Sequence, residues 1–329
     1  MQTRSLGILN LLAPCHCRCK YCFLCAEGKS SGVPYLRGEA LARRIHEALP
    51  ALLLSYTCGY CYDYPELPRN IVFNQKLGFP GAPYLQVNGI ALRDDDTLYA
   101  WLEELREAGA ASVDATFYGL AAAHDAFAAR SGDFDYLLRI LRIAQSLGYE
   151  TQCTFPLTEE NKYELSPLLT LLESKDFARC FGFLPDHRGR GAMLENIRLT
   201  RSSLEALDAR VRACVNLSRY KTETEWLRTG IPAPARRILR LALTQENISY
   251  WEFLSPTRIL AELEALDDAY RAVLPSMEFL ANYYGDPKNE RLYQGRDLRW
   301  KWHSLWLREH SVNIYDVSDE SKTGSVWQT

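Results

Sequence analysis

The segment Cys15-His16-Cys17-Arg18-Cys19-Lys20-Tyr21-Cys22-Phe23-Leu24-Cys25 constrains this chain more than any other, because it places five cysteines within eleven residues. Packing does not call for such density, since a free cysteine behaves as a small buried hydrophobe. Cys15, Cys19 and Cys22 follow the spacing C-x3-C-x2-C, with an aromatic residue, Tyr21, just before the last of them. Three thiolates on one short loop suit an iron-sulfur cube, which has four iron corners and usually takes one cysteine per iron. The fourth corner stays open to a small chelating molecule. Zinc is the competing reading, because structural zinc sites pair two C-x2-C knuckles or add histidines. Cys58-Gly59-Tyr60-Cys61 offers a second knuckle, so a zinc-stabilised binding module without catalysis stays open. A disulfide framework is not expected in a chain of 329 residues, which needs no staples and shows no secretory signal.

That length accommodates one barrel of roughly 200 to 250 residues plus an appendage. The net charge of -3 and the lack of lysine or arginine runs argue against a nucleic-acid or membrane partner. The apolar run Leu6 to Leu12 is too short to span a bilayer. A cytoplasmic location is expected. In that reducing compartment the ten cysteines read as metal ligands or buried thiols rather than bridges.

The chain alternates strand and helix patterns, which means parallel strands with helices outside. Strands are expected at Ser5 to Leu12, Tyr84 to Asn88, Ser112 to Tyr118, Tyr149 to Phe155 and Arg179 to Leu184. Helices are expected at Glu39 to Leu54, Asp95 to Ala108, Ala121 to Leu147 with a break near Ser131-Gly132, and Glu159 to Ser174. Ser55 to Pro83 reads as an irregular insertion, long for a connection. Neighbouring side chains on a strand point to opposite faces. One face therefore collects Gln86 and Asn88, then Asp114 and Thr116, then Gln152 and Thr154. A closed barrel fills its interior with branched apolar residues, so this polar face points to a partly open barrel around a polar ligand. A sheet with one wet face is the bland alternative. From Thr200 onward the patterns are helical: Ser202 to Arg219, Ala233 to Leu243 and Thr257 to Tyr284.

The cysteine loop, leaving the carboxyl end of the first strand, resembles that of the radical SAM superfamily. An open iron can be chelated through an amino and a carboxylate group, and S-adenosylmethionine carries both. The resemblance implies a 4Fe-4S cluster on Cys15, Cys19 and Cys22 and an enzyme that cleaves S-adenosylmethionine to a 5'-deoxyadenosyl radical. That radical then abstracts a hydrogen atom from substrate. It also implies a partial (β/α)6 TIM-like barrel over residues 1–200, ahead of the mainly helical region read from the pattern over 201–329, and an electron donor such as flavodoxin or ferredoxin.

Further motifs carry the resemblance. Val87-Asn88-Gly89-Ile90-Ala91-Leu92-Arg93 sits where the family has a Gly-Gly-Glu-Pro-like turn that holds the amino group of the cofactor. Gly89 fits that turn and Ile90 cannot replace its glutamate, for which the side-chain oxygen of Asn88 is a candidate substitute. Thr116 occupies a hydroxyl position that can bond the cofactor's carboxylate or ribose. Tyr21 completes this side of the site. His124-Asp125 through Arg130, Gly132 and Phe134 is similar to a stretch of the peptide- and protein-modifying subgroup, in which Arg130 would pair with the carboxylate of S-adenosylmethionine. His124 and Asp125 are open to a catalytic role but read better as a solvent-facing cap. Asn161 matches an asparagine of the same subgroup, and Arg188-Gly189-Arg190-Gly191 resembles its Gly-Arg turn.

That subgroup implies a peptide or protein substrate. Its cysteine-rich carboxyl-terminal extension is missing, since no cysteine follows Cys214, and a small-molecule natural-product intermediate is the alternative. An auxiliary cluster would have to draw on Cys17, Cys25, Cys58 and Cys61. Cys153 reads as a buried thiol facing the helices. Cys180 and Cys214 are candidate hydrogen donors to a substrate radical, with a buried thiol as the default for each. The tryptophans of Arg299 to Trp306 read as packing.

Overall fold

The computed structural model describes residues 4–24, 32–59, 61–78, 84–177, 179–232 and 236–318. Among these, seven strands run parallel in two sheets. The first half of the chain gives β1 (Arg4–Leu9), α1 (Tyr35–Ala48), β2 (Leu53–Thr57), α2 (Leu67–Lys76), β3 (Tyr84–Gln86), α3 (Asp95–Glu107) and β4 (Ser112–Thr116). It continues with α4 (Ala121–Ala128), α5 (Asp133–Ser146), β5 (Glu150–Pro156), α6 (Leu165–Glu173) and β6 (Arg179–Phe183). A 3-10 segment over Gly189–Ile197 leads into α7 (Arg201–Ala206), α8 (Ala209–Ala213), a 3-10 turn at Leu217–Arg219, α9 (Glu223–Thr229) and β7 (Arg237–Ala242). The chain closes with α10 (Ile248–Phe253), α11 (Pro256–Ala272), α12 (Met277–Tyr284) and α13 (Gly295–Glu309).

Strand order is β2-β1-β7 in one sheet and β3-β4-β5-β6 in the other. The first helix is shorter than its pattern suggested. Pro50 follows its end, and Leu53–Thr57 forms β2, paired in register with β1 from Ser5↔Leu53 to Leu9↔Thr57. The segment read as an insertion is therefore a strand-helix unit of the barrel, with α2 started by Pro68 in its first turn. Ala233 to Leu243, expected to be helical, contains β7, which pairs with the other edge of β1 from Arg4↔Arg237 to Leu9↔Ala242. A short apolar run does not discriminate strand from helix by period, and here a distant strand decides.

The two long carboxyl-terminal helices are broken where caps intervene. Asp208 accepts from Arg210 N and starts α8, and Ser276 accepts from Phe279 N and starts α12 just after Pro275. The core lies between the sheets and their helices: Leu6, Ile8, Leu54 and Tyr56 from the first sheet and Val113, Ala115, Cys153 and Phe155 from the second are buried. A smaller cluster joins Trp226, Leu280, Tyr293, Leu298 and Trp302, so Trp302 packs as expected. Among the described residues no helix is long and apolar enough to cross a membrane.

Candidate active site at the cysteine loop

The cysteine loop leaves β1 and is pinned from three directions. His16 N donates to Gly89 O at 2.9 Å, and Arg18 N and Lys20 N donate to the carbonyls of Ala128 and Phe127 at the end of α4. Arg190 closes the third side: its backbone N donates to Cys22 O at 3.0 Å and its Nε to Cys19 O at 3.1 Å. The Gly189 to Gly191 turn thus borders the loop. Two glycines allow this close approach. A Cβ at Gly89, whose φ is +83°, would lie 2.3 Å from Cys15 Sγ, and one at Gly189 would lie 2.3 Å from Phe23 O.

The thiols of Cys15, Cys17 and Cys19 lie against one another. Contact with Cys15 and Cys19, and then the Arg130 guanidinium, pushes the Cys17 thiol down; contact with Cys17, and then burial, pushes Cys15 up. Cys17 is buried, 3.7 Å from Asp133 Oδ2 and 3.8 Å from Arg130 Nη1. Among the described residues no group of three His, Cys, Asp or Glu side chains encloses a single metal ion. A cube that takes one thiolate at each iron corner needs its ligands more widely spaced than a single ion does. Three thiols on one loop, Cys15, Cys19 and Cys22, are the donor chemistry that suits such a group. Cys58 and Cys61 have different partners. Asn70 Nδ2 reaches Cys58 Sγ at 3.6 Å, whereas Cys61 Sγ donates to Gly89 O at 3.1 Å. Cys25, named for an auxiliary cluster, lies outside the described residues.

The motif from His124 to Asp135 is a buried electrostatic network. Asp125 caps α5, accepting from Gly132 N at 2.5 Å and Phe134 N at 3.0 Å. His124 is buried rather than solvent-facing: Tyr118 N donates to its Nδ1, which leaves Nε2–H for Asp133 Oδ2 at 3.0 Å. Asp133 also lies 3.4 Å from Arg130 Nη1, which donates to Ile90 O at 2.7 Å. Arg130 Nη2 is buried with no hydrogen-bond partner among the described residues. A buried guanidinium edge without an acceptor is costly to leave unmade, and a carboxylate is the acceptor whose geometry matches it.

Beneath the loop the polar face reads as expected. Asp114 pairs with Gln86 on one side and Gln152 on the other, and Thr116 with Thr154. Thr116 Oγ1 lies 2.7 Å from Thr154 Oγ1 and accepts from Gln86 Nε2 at 3.2 Å. The Tyr21 hydroxyl reaches the Thr116 side chain, while its ring stacks 5.5 Å from Phe127. Asn88 and Asn161 are braces. Asn88 Oδ1 accepts from Thr116 N and its Nδ2 donates to Thr116 O. Asn161 Nδ2 donates to the carbonyls of Tyr118 and Pro156, and its Oδ1 accepts from Thr158. Ile90 is fully buried, so a glutamate there would be driven into the core. The carboxylate beside this turn is Asp63, which sequence reasoning missed. It accepts from Ala91 N at 2.6 Å, pairs with Arg93, and lies 3.9 Å from His16 Nε2.

Cys153 is fully buried on the helix side. Cys180 pairs with it across β5 and β6 and shares its face, and the Cys214 thiol lies near Cys180. Cys180 therefore stands away from the polar face, as strand alternation requires, with Cys214 beside it.

Asp114 gives a pH prediction. Burial pushes its carboxyl up to about 7, against an opposing hydrogen bond with Thr154. The native state then binds a proton that the unfolded chain releases near pH 4, so stability falls as pH rises between about 4 and 7, by at most roughly 4 kcal/mol. Asp114→Asn should flatten this dependence. Urea midpoints for the two proteins at about pH 5 and pH 8 check it, and parallel shifts would contradict it.

No family model and no curated relative matches the sequence. Solved structures do. The crystal structure of Streptococcus suis SuiB bound to precursor peptide SuiA superposes with a TM-score of 0.52 at 11% identity, covering 73% of this chain and 58% of that one. The likeness is one of fold: a mixed α/β arrangement of parallel strands with helices packed on them. Coproporphyrinogen III oxidase (HemN) from Escherichia coli, described as a radical SAM enzyme, is also similar, with a TM-score of 0.42 at 11% identity over 94% of this chain and 91% of that one. Native anSMEcpe with bound AdoMet has a TM-score of 0.41 at 18% identity, over 56% and 52%. This chain thus spans 58% of the length of the SuiB structure it matches. β2 and β7 bring the described strands to seven rather than the six expected.

Proposed function

We propose that this chain is a radical SAM enzyme that cleaves S-adenosylmethionine reductively and abstracts a hydrogen atom from a peptide or a side chain on a protein. The observation that carries the reading is a C-x3-C-x2-C loop at the carboxyl end of β1, pinned between Gly89, the end of α4 and Arg190. Barrel enzymes place their chemistry at that end. Cys15, Cys19 and Cys22 would hold the cluster. When bound, the cluster and S-adenosylmethionine supply the electron and the hydrogen-abstracting chemistry.

The chain's own residues position and shield. Arg130 offers Nη2 to the carboxylate of S-adenosylmethionine, and Thr116 and Tyr21 offer hydroxyls from the strand face below. Gly89 keeps the turn close to Cys15, while Asn88 and Asn161 hold the strand ends that carry these groups. A flavodoxin or ferredoxin would deliver the electron.

Arg130→Ala is expected to weaken S-adenosylmethionine binding by about 1.5 to 3 kcal/mol, one charged hydrogen bond, or roughly 10- to 150-fold in dissociation constant. Arg130→Lys, which keeps the charge and loses the fork, should recover only part of it. An unchanged constant in the alanine variant rejects the assignment.

The peptide reading draws support from the His124 to Asp135 motif and from the likeness to SuiB, crystallised with precursor peptide SuiA. Its test is incubation with candidate precursor peptides in deuterated buffer, reading peptide mass and 5'-deoxyadenosine together. Turnover stimulated only by small metabolites would move the substrate to a small-molecule natural-product intermediate.

A further inference from the structure

A cavity of about 890 Å³ opens between β7, α11, the start of α13 and the loop after β6. Seven of its lining residues are arginines, against two carboxylates, Asp267 and Asp316. Some of that charge is already answered: Asp267 takes Arg271, and Asp186 nearby takes Arg188 and Arg296. Three guanidinium groups have no carboxylate partner among the described residues. Arg219 donates to Gln294 Oε1 at 3.1 Å, Arg299 donates to Pro232 O at 2.7 Å, and Arg236 is exposed at the wall. Arg299 is half-buried, and burial, and then its neighbour Arg271, hold it below the usual guanidinium range.

Like charges gathered in a concave wall repel one another and focus a positive potential into the space they enclose. A chain with net charge -3 has no general excess of cations, so their convergence here is local. The volume suits a ligand rather than a few waters. Its wall also reaches the proposed active site. The Arg188 guanidinium lies 4.0 Å from the Trp300 ring centre in this cavity and 4.4 Å from that of Phe23, the residue after Cys22.

We propose that this cavity is the subsite for an acidic segment of the peptide substrate, its arginines pairing with aspartate or glutamate side chains while the segment beyond enters the cysteine-loop site. The assignment rests on the peptide reading above. Arginine suits it because the planar fork takes a carboxylate through two hydrogen bonds.

Calorimetry on the purified chain without S-adenosylmethionine tests it at about 50 mM salt, where surface charge is little screened. Hexaglutamate is expected to bind at least about tenfold more tightly than hexaglutamine, and Arg219→Glu with Arg236→Glu to remove most of that difference. Lys76→Glu, on α2 away from the cavity, should leave it unchanged. Equal affinity for the two peptides, or indifference to the double reversal, overturns the proposal. Inorganic triphosphate binding more tightly than hexaglutamate, with the same loss in the double variant, overturns the peptide assignment in favour of a phosphate ligand. Because the readout needs no cofactor cleavage, failure here and failure of the radical reading are separate results.

Discussion

Single alanine replacements of Cys15, Cys19 and Cys22 are each expected to abolish S-adenosylmethionine cleavage, with a fall of several hundredfold or more, whereas Cys17→Ala leaves it largely intact. The difference follows from role, since a cube that loses one of three protein ligands loses both its anchorage and its redox poise. Cys17 has another place in the structure. Its buried thiol lies against Cys15 and Cys19 and also meets Asp133 and Arg130, so it couples the loop to the His124 network. Iron and sulfide content report independently of turnover. Equal loss in Cys17→Ala, with iron content falling alongside, would mean that the ligand register is shifted.

The second large effect concerns the clamp that holds α13 against the barrel. Asp297 and Arg198 are both buried, 2.6 Å apart. Arg198 also donates to Leu292 O and Pro185 O, and Asp297 accepts from the backbone of His187 and Gln294. Removing one partner strands a buried charge, so Asp297→Ala should cost about 3 to 5 kcal/mol, read as a lower urea midpoint. Replacing both by apolar residues, Arg198→Met with Asp297→Leu, should recover much of that loss. A double variant no more stable than the single one would show that the backbone contacts, and not the stranded charge, dominate.

The cysteine spacing was legible because ligand sets on one loop are local in sequence, and the polar face of β4 and β5 because strand alternation is local too. What escaped was set at long range. Leu53–Thr57 followed a helical pattern without a gap wide enough to separate them, although Pro50 was the available signal. β7 is a strand because the open edge of β1, more than two hundred residues earlier, accepts its backbone, and no period within six residues carries that information. His124 was read with Asp125 as a solvent-facing cap; only the fold reveals that Asp133 and Tyr118 close around the imidazole. The arginine-lined cavity had no sequence signature at all, since its cations come from positions 188 to 299 and converge only when β7, α11 and α13 are in place.

The most direct test is anaerobic reconstitution of the chain with iron and sulfide, followed by reduction in the presence of S-adenosylmethionine. The account predicts about four irons and four sulfides per chain and formation of 5'-deoxyadenosine. A protein that binds zinc in place of iron, or one that assembles the cluster and leaves S-adenosylmethionine intact, would contradict it.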